Sequence, residues 1–240
     1  MSWTWIGHCH TRHSHDSLIE PADLVRHAVA LGAQVLAVTD HDTWQGSVEA
    51  RAAAEREGLD LHVVLATEAS TEQGDVIGLF LTSDLRERSA PAFCDAVHAQ
   101  GGLTLLPHPY KWHTLDETLL SRIDLIEVHN GRTPRVDNIR AAELAFKRGT
   151  PELAGPDAHR LGELGLARVE FEGDRPRDEA ALKRALLETP RRMVTVTGSM
   201  WNEWLSQGVK LVRRPSLGAA IGLARDGLRR LIKPGEYGLW

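Results

Sequence analysis

Four imidazoles and a carboxylate fall within nine residues, as His8, His10, His13, His15 and Asp16. Imidazole binds zinc, copper, iron and nickel, whereas carboxylate suits harder ions such as manganese, so the mixture points to a metal without naming one. His8 and His10 follow a short apolar run, Trp3, Trp5 and Ile6. On a strand, residues two apart share a face, which lets two imidazoles reach one ion. A single His-x-His pair is a weak signal. More ligand types recur down the chain as Asp40-His41, Glu68, Asp75, His108, and Asp157 with His159, and some fold must gather them.

The apolar pattern supplies that fold. Short β-branched or apolar runs at 34–39, 61–66, 76–81, 103–106, 123–128, 151–154, 166–171 and 193–197 read as strands. Helical spacing covers 20–33, 46–57, 91–100, 135–148 and 177–187, with Pro21 placed as a first-turn residue and Thr114 to Glu117 as a capping box for a further helix. Strands alternating with helices indicate parallel βαβ units. About seven units within the first 200 residues suit an α/β barrel better than an open sheet. Each ligand-type residue stands at a predicted strand end, and in such barrels the loops there converge on one mouth. So many carboxylates and imidazoles would be costly to bury together without cations between them. Eight or nine ligand atoms exceed the four that one tetrahedral zinc takes, so two or three divalent ions, manganese, zinc or iron, are expected.

The ordered motifs His8-x-His10-Thr11-x-x-Ser14, Thr39-Asp40-His41-Asp42, Thr67-Glu68, Pro107-His108-Pro109, Ile126-Glu127-x-x-Asn130 and Asp157-Ala158-His159 resemble those of the PHP family, the polymerase and histidinol phosphatase superfamily. The resemblance implies a distorted (β/α)7 barrel with a trinuclear metal centre that hydrolyses phosphate esters. Carried over by motif, His8, His10, Asp16, His41, Glu68, His108, Asp157 and His159 would be ligands, with Glu68 bridging two ions. Two positions depart from the family pattern. Asp16 stands where such proteins often carry His, and Asp75 stands where many place a His before a Val-Ile-Gly strand, which makes that ion's shell harder and more negative. Asp157 and His159 also lie where a leaving alcohol could take its proton, unless a bound water supplies it. Arg132, just past Asn130, is the candidate phosphate clamp, since a guanidinium fork matches phosphate oxygens, with Lys111 and Arg160 behind it.

The expected activity is hydrolysis of a small phosphomonoester or nucleotide phosphate. The alternatives are a PHP-like exonuclease or oligonucleotide phosphodiesterase, and a metal-bound regulatory module without turnover. Net charge is −5, with −9 in the first 200 residues and +4 in the last 40, so the barrel has no basic character to hold double-stranded nucleic acid. Two separated cysteines and the lack of a signal-peptide pattern or an apolar run of about 18 residues lead to a cytoplasmic expectation, with no membrane span. A boundary is expected near Gly198, leaving 1–198 as the barrel and 199–240 as a basic amphipathic extension. Leu217, Ile221, Leu228 and Leu231 form its apolar side, for docking on the barrel or a partner subunit, or for peripheral membrane contact. Oligomeric state is not legible. His13 and His15 read as loop residues beside the ligands, His27, His62 and His98 as surface or packing residues, and Cys9 as core packing opposite the ligands. His113 and His129 stay open between substrate contact and no role.

Overall fold

The computed structural model describes residues 1–196 together with 209, 212 and 213. The expected boundary near Gly198 and the apolar side of the basic extension, Leu217, Ile221, Leu228 and Leu231, lie outside them. Nine strands form one sheet: β1 (Ser2–Cys9), β2 (Val35–Val38), β3 (His62–Thr71), β4 (Gly74–Leu79), β5 (Leu103–Leu106), β6 (Leu125–Asn130), β7 (Glu152–Gly155), β8 (Ala167–Glu172) and β9 (Arg191–Thr195), in the order β7-β6-β5-β4-β3-β2-β1-β8-β9. Beyond β7 the chain returns to β1. The His10 N–H donates to the Ala158 carbonyl at 2.8 Å and the Ala158 N–H to the His8 carbonyl at 3.2 Å. That contact makes the first seven strands a nearly closed barrel, while the start of β1 pairs with β8 instead.

Alternation along the strands divides the apolar residues into layers. Trp3, Trp5, Val35, Ala37, Val64, Ile77 and Leu105 fill an inner cluster. Their neighbours Ile6, Leu36, Val38 and Val63 face outward onto α1 (Pro21–Ala30) and α2 (Gln45–Arg56). A third cluster packs Val76, Leu106 and Ile126 against α3 (Ala90–Ala99), α4 (Glu117–Leu120) and α5 (Arg135–Arg148). Strands covered on both faces read as continuous apolar runs, which is how VLAV in β2 gave itself away.

The alternation overstated the parallel character. β4 is antiparallel to both β3 and β5, because two residues between β3 and β4 cannot make the crossover a parallel pair needs. β8 and β9 are antiparallel as well, with α6 (Glu179–Glu188) between them. At α4 the expected capping box is replaced by Asp116, whose side chain accepts the Leu119 N–H at 2.9 Å. Among the described residues, no helix is long and apolar enough to cross a membrane.

The decisive irregularity is in β1. Strict alternation from Trp3 and Trp5 would point Gly7 and Cys9 inward and His8 outward. Instead the register against β2 slips between Ile6 and Cys9, His8 adopts φ +62°, and Cys9 joins Ile6 in the outer layer. The slip carries both His8 and His10 toward the mouth. It needs glycine at position 7, where a Cβ would lie 2.5 Å from the indole nitrogen of the buried Trp5. Gly7→Ala should therefore lower stability by about 1–3 kcal/mol, the usual cost of overpacking, as a reduced urea midpoint at unchanged slope.

Candidate metal centre

All nine expected ligands meet at the strand ends, in interlocking groups whose donor atoms lie within 4.8 Å of one another. Around one point, His8 Nε2 lies 3.4 Å from Glu68 Oε1 and 3.5 Å from Asp157 Oδ1, while His10 Nε2 lies 3.4 Å from Glu68 Oε2 and from Asp157 Oδ1. Metal bonds of about 2.0–2.2 Å in a tetrahedral shell separate neighbouring donors by roughly 3.3–3.6 Å, so these four residues fit. A second set comprises His10, His41 and His159 with Asp16, whose Oδ2 is 3.2 Å from His159 Nε2 and 3.6 Å from His41 Nε2. The third is Glu68, Asp75 and His108. The Nε2 atoms of His8 and His10, His41 Nδ1, His108 Nδ1, Asp16 Oδ1 and Glu68 Oε2 are all buried without a hydrogen-bond partner. Orphaned buried donors aimed at one another are what a missing cation would explain. The residues present therefore fit divalent metal.

Backbone and buried carboxylates aim these side chains. His8, His108 and Asp157 all have positive φ, at 62°, 29° and 51°. Asp40, fully buried, accepts from the Thr11 N–H and hydroxyl and from the Ser14 N–H and hydroxyl at 2.6–3.0 Å, which fixes the loop between β1 and α1. Gly46 abuts it; a Cβ there would overlap the carboxylate. Because the Ser14 hydroxyl gives its proton to Asp40, it can only accept from His10 Nδ1, 3.1 Å away. The lone pair of His10 is thereby left on Nε2, facing the cluster. Glu127 does the same for His8, taking Nδ1–H at 2.9 Å, and also accepts the His108 N–H at 3.0 Å and Asn130 Nδ2 at 2.9 Å.

Burial opposes protonation of His8, yet Glu127, Asp157 and Glu68 outweigh it and hold its pKa well above the ordinary value. His41 is likewise buried, but Glu68 and Asp16 raise it to about 9. Burial opposes ionisation of Glu68 and Asp157, and adjacent imidazoles nevertheless depress both carboxyls strongly. His10 goes the other way, down to about 4, through burial and the charges of His159 and His41. Asp75 is pushed up by burial and by Glu68. Without a cation, protons on imidazole stand in for it. Metal must displace them, so the apparent affinity should rise with pH up to about 9, and calorimetric titrations in buffers of different ionisation enthalpy should show proton release. Glu127→Gln should weaken metal binding by about 10–100-fold while the far-UV circular dichroism stays that of the parent chain.

Arg132 lies half-buried with its guanidinium against His159 Nδ1, at the edge of the cluster. Asp157 and His159 share one loop, pinned by the buried Glu163, which accepts the His159 N–H at 2.7 Å. Arg160 is exposed, and Lys111 lies over the Trp112 ring at 5.4 Å. His15 comes closer than its sequence context suggested, with Nε2 3.7 Å from Asp16 Oδ2 and in a donor group with Asp16 and His41. His13 instead faces Glu49 at 3.1 Å, and His98 pairs with Asp124 at 2.8 Å. Cys9 is buried, its thiol donating to the Ala37 carbonyl. One functional position, Glu163, escaped the sequence reading, and the role of another, His113, was left open by it. Glu163 gave no signal beyond its place four residues after His159. His113 donates to the Asp75 carbonyl at 2.7 Å and occupies the space that a side chain at Gly74 would fill, so it sets the strand that carries Asp75.

Comparison with known proteins agrees with this architecture. The PHP domain family matches residues 7–189. An uncharacterized protein of Methanocaldococcus jannaschii is 35% identical over 114 residues, 43% of this chain and 66% of that protein. The 5'-3' exoribonuclease of Haemophilus influenzae is 44% identical over 64 residues, 27% of this chain and 22% of the enzyme. A two-domain protein of Bacteroides vulgatus, containing a predicted PHP-like metal-dependent phosphoesterase, shares the fold with a TM-score of 0.68 at 15% identity, covering 81% of this chain and 65% of that one. The match thus spans at most about two thirds of each of these relatives. With the family match extending over about three quarters of the sequence and the barrel in accord with it, the chain belongs to the PHP domain family.

Proposed function

We propose that the chain is a metal-dependent phosphoesterase that hydrolyses a small phosphomonoester or nucleotide phosphate. The observation that carries this reading is the position of Glu68. Its Oε1 faces His8 Nε2 at 3.4 Å and His108 Nε2 at 3.2 Å, and its Oε2 faces His10 Nε2 at 3.4 Å and His41 Nδ1 at 3.2 Å. A carboxylate with different donors beside each oxygen would belong to two ligand groups at once, which would suit paired ions, the arrangement that phosphoryl displacement uses. When bound, divalent ions lower the pKa of a water toward neutrality and offset charge on phosphate oxygens.

The chain's own groups would do the rest. His8, His10, His41, Glu68, Asp75, His108, Asp16, Asp157 and His159 hold the ions, with Glu127, Asp40 and Ser14 fixing the two imidazoles of β1. Arg132, beside His159, is positioned to take a phosphate oxygen through its fork. The Asp157/His159 loop lies where a leaving alcohol can be protonated. A nucleic acid end is a second substrate reading, supported by the 44% identity to the Haemophilus influenzae exoribonuclease over 64 residues.

Hydrolysis of 4-nitrophenyl phosphate by the full chain with manganese tests the proposal. Turnover is expected, and His10→Ala and Asp157→Ala should each reduce it by more than about 100-fold, beyond the loss typical of residues behind the ligands, together with bound metal. Full metal content without turnover of this substrate, of nucleotides or of labelled single strands would support a binding module instead.

A further inference from the structure

A cleft of about 530 Å³ opens beside the metal cluster, and its lining includes Arg12, His15, His41, Arg86, Arg88 and Arg213. His41 belongs to both the cleft wall and the candidate ligand set, so the cleft is continuous with the site. The volume is within the roughly 300–1,000 Å³ range of small-molecule sites. Among the described residues its charge is one-sided: four guanidiniums line it against a single carboxylate, Asp42.

The four come from three parts of the chain, Arg86 and Arg88 sharing the loop after β4, and each is anchored. Arg88 donates to Asp42 Oδ1 at 2.8 Å, and Arg86 to the Asp42 carbonyl at 2.7 Å and to Asp84. Arg12 is held by Glu20 and Glu49 from outside the lining. Nη1 of Arg213 meets the carbonyls of Arg12, Ser14 and Ser17 at 3.0, 2.7 and 3.0 Å, in the loop that carries Asp16. Carboxylates offset the first three guanidiniums. Among the described residues, the contacts of Arg213 are neutral carbonyls, so no carboxylate there offsets its charge. A guanidinium has five N–H donors, and one carboxylate oxygen engages only one of them. Side chains of Arg12, Arg86 and Arg88 keep 40%, 68% and 59% of their surface open to solvent. Rim ion pairs contribute little to stability, which leaves loop-holding a poor account of four arginines on one cleft. Pre-oriented donors around a concave space beside a reaction centre suit recognition of an anion.

Resting on the phosphoesterase reading, we infer that the cleft seats the leaving group and selects a phosphoester whose leaving alcohol carries a second anionic group, a carboxylate or a phosphate. In the reaction, the oxygen of water bonds to phosphorus and the bond from phosphorus to the leaving oxygen breaks. A proton from that water ends on the leaving alcohol, and the second anion is unchanged. Arg88 and Arg213 are the residues that set this specificity.

Phenyl phosphate, 3-carboxyphenyl phosphate and resorcinol bisphosphate have similar leaving phenols and differ in the second anion. With the manganese-loaded full chain, kcat/KM for at least one charged substrate should exceed that for phenyl phosphate by tenfold or more, and the larger of the two ratios names the anion. That ratio should fall at least fivefold in Arg88→Ala and in Arg213→Ala, survive in Arg88→Lys, and shrink as salt is raised. Ratios near one in the parent chain, or unchanged in both alanine variants, would overturn the inference while leaving the phosphoesterase reading intact. No turnover of any of the three would overturn that reading instead, and equilibrium binding of resorcinol bisphosphate against phenyl phosphate would then still decide the cleft: equal affinities would sink it, and a preference lost in Arg88→Ala would uphold it.

Discussion

Four carboxylates, the buried Asp16, Glu68 and Asp157 and the half-buried Asp75, meet at one end of the barrel, and five imidazoles are interleaved with them. Like charges at this separation repel strongly in a medium poorer than water, so the arrangement persists only with positive charge among them. The raised pKa values of His8 and His41 show how the chain meets that need without a cation, by holding protons. The solution is incomplete. Burial and Glu68 push the Asp75 carboxyl upward, and His10 is driven down to about 4 beside its protonatable neighbours. Cations would relieve both conflicts at once, since they need the imidazoles neutral and the carboxylates ionised.

The same constraint accounts for where the backbone is least relaxed. Left-handed conformations at His8, His108 and Asp157 cost of order 1–3 kcal/mol each and turn up at three of the nine candidate ligands. Surrounding bonds hold them there. Glu127 ties β6 to His8 and His108, Asp40 ties β2 to the loop after β1, and Glu163 ties the loop after β7 to its own short 3₁₀ helix. Each tie is a buried carboxylate that accepts two or more donors. The cluster is therefore bounded by a ring of carboxylates that orient ligands and do not compete with them for ions.

Much of this was legible in the sequence because β geometry links residue spacing to direction. Ligand types at the ends of apolar runs, and His-x-His at the first, gave the mouth of the barrel and eight of the side chains that meet there, while Asp16 was singled out by the resemblance to the PHP motifs. The phase of β1 was not legible: Trp3 and Trp5 by alternation would have sent His8 outward, and only the slip at Gly7 reconciles them. A period-two pattern fixes residues relative to one another but does not announce a bulge. The antiparallel β4 was hidden for a similar reason, as its apolar run looks like any buried strand and the cue is the shortness of the preceding turn. Glu163 and His113 act through contacts with backbone groups, which no spacing rule encodes. Arg213 lay within a stretch read for its amphipathic pattern, so its bonds to the loop of Asp16 had no precursor in that reading.

The two kinds of residue at the mouth differ in what constrains them. Candidate ligands sit at strand ends, where closure of the barrel and the tying carboxylates leave little freedom of position. The arginines of the cleft sit on the loops after β1 and β4 and beyond the barrel, where only ion pairs and carbonyl contacts locate them. Loops can change composition without disturbing strand register, whereas ligands cannot move without breaking the balance of charge among nine groups. A barrel shared at 15% identity shows how far sequence can change while the fold persists, and the rim loops are where such change leaves strand register untouched. In this chain the barrel's acidic interior and the cleft's guanidiniums have opposite sign, so an anionic substrate would meet attraction first at the rim and then at whatever cations the carboxylates hold.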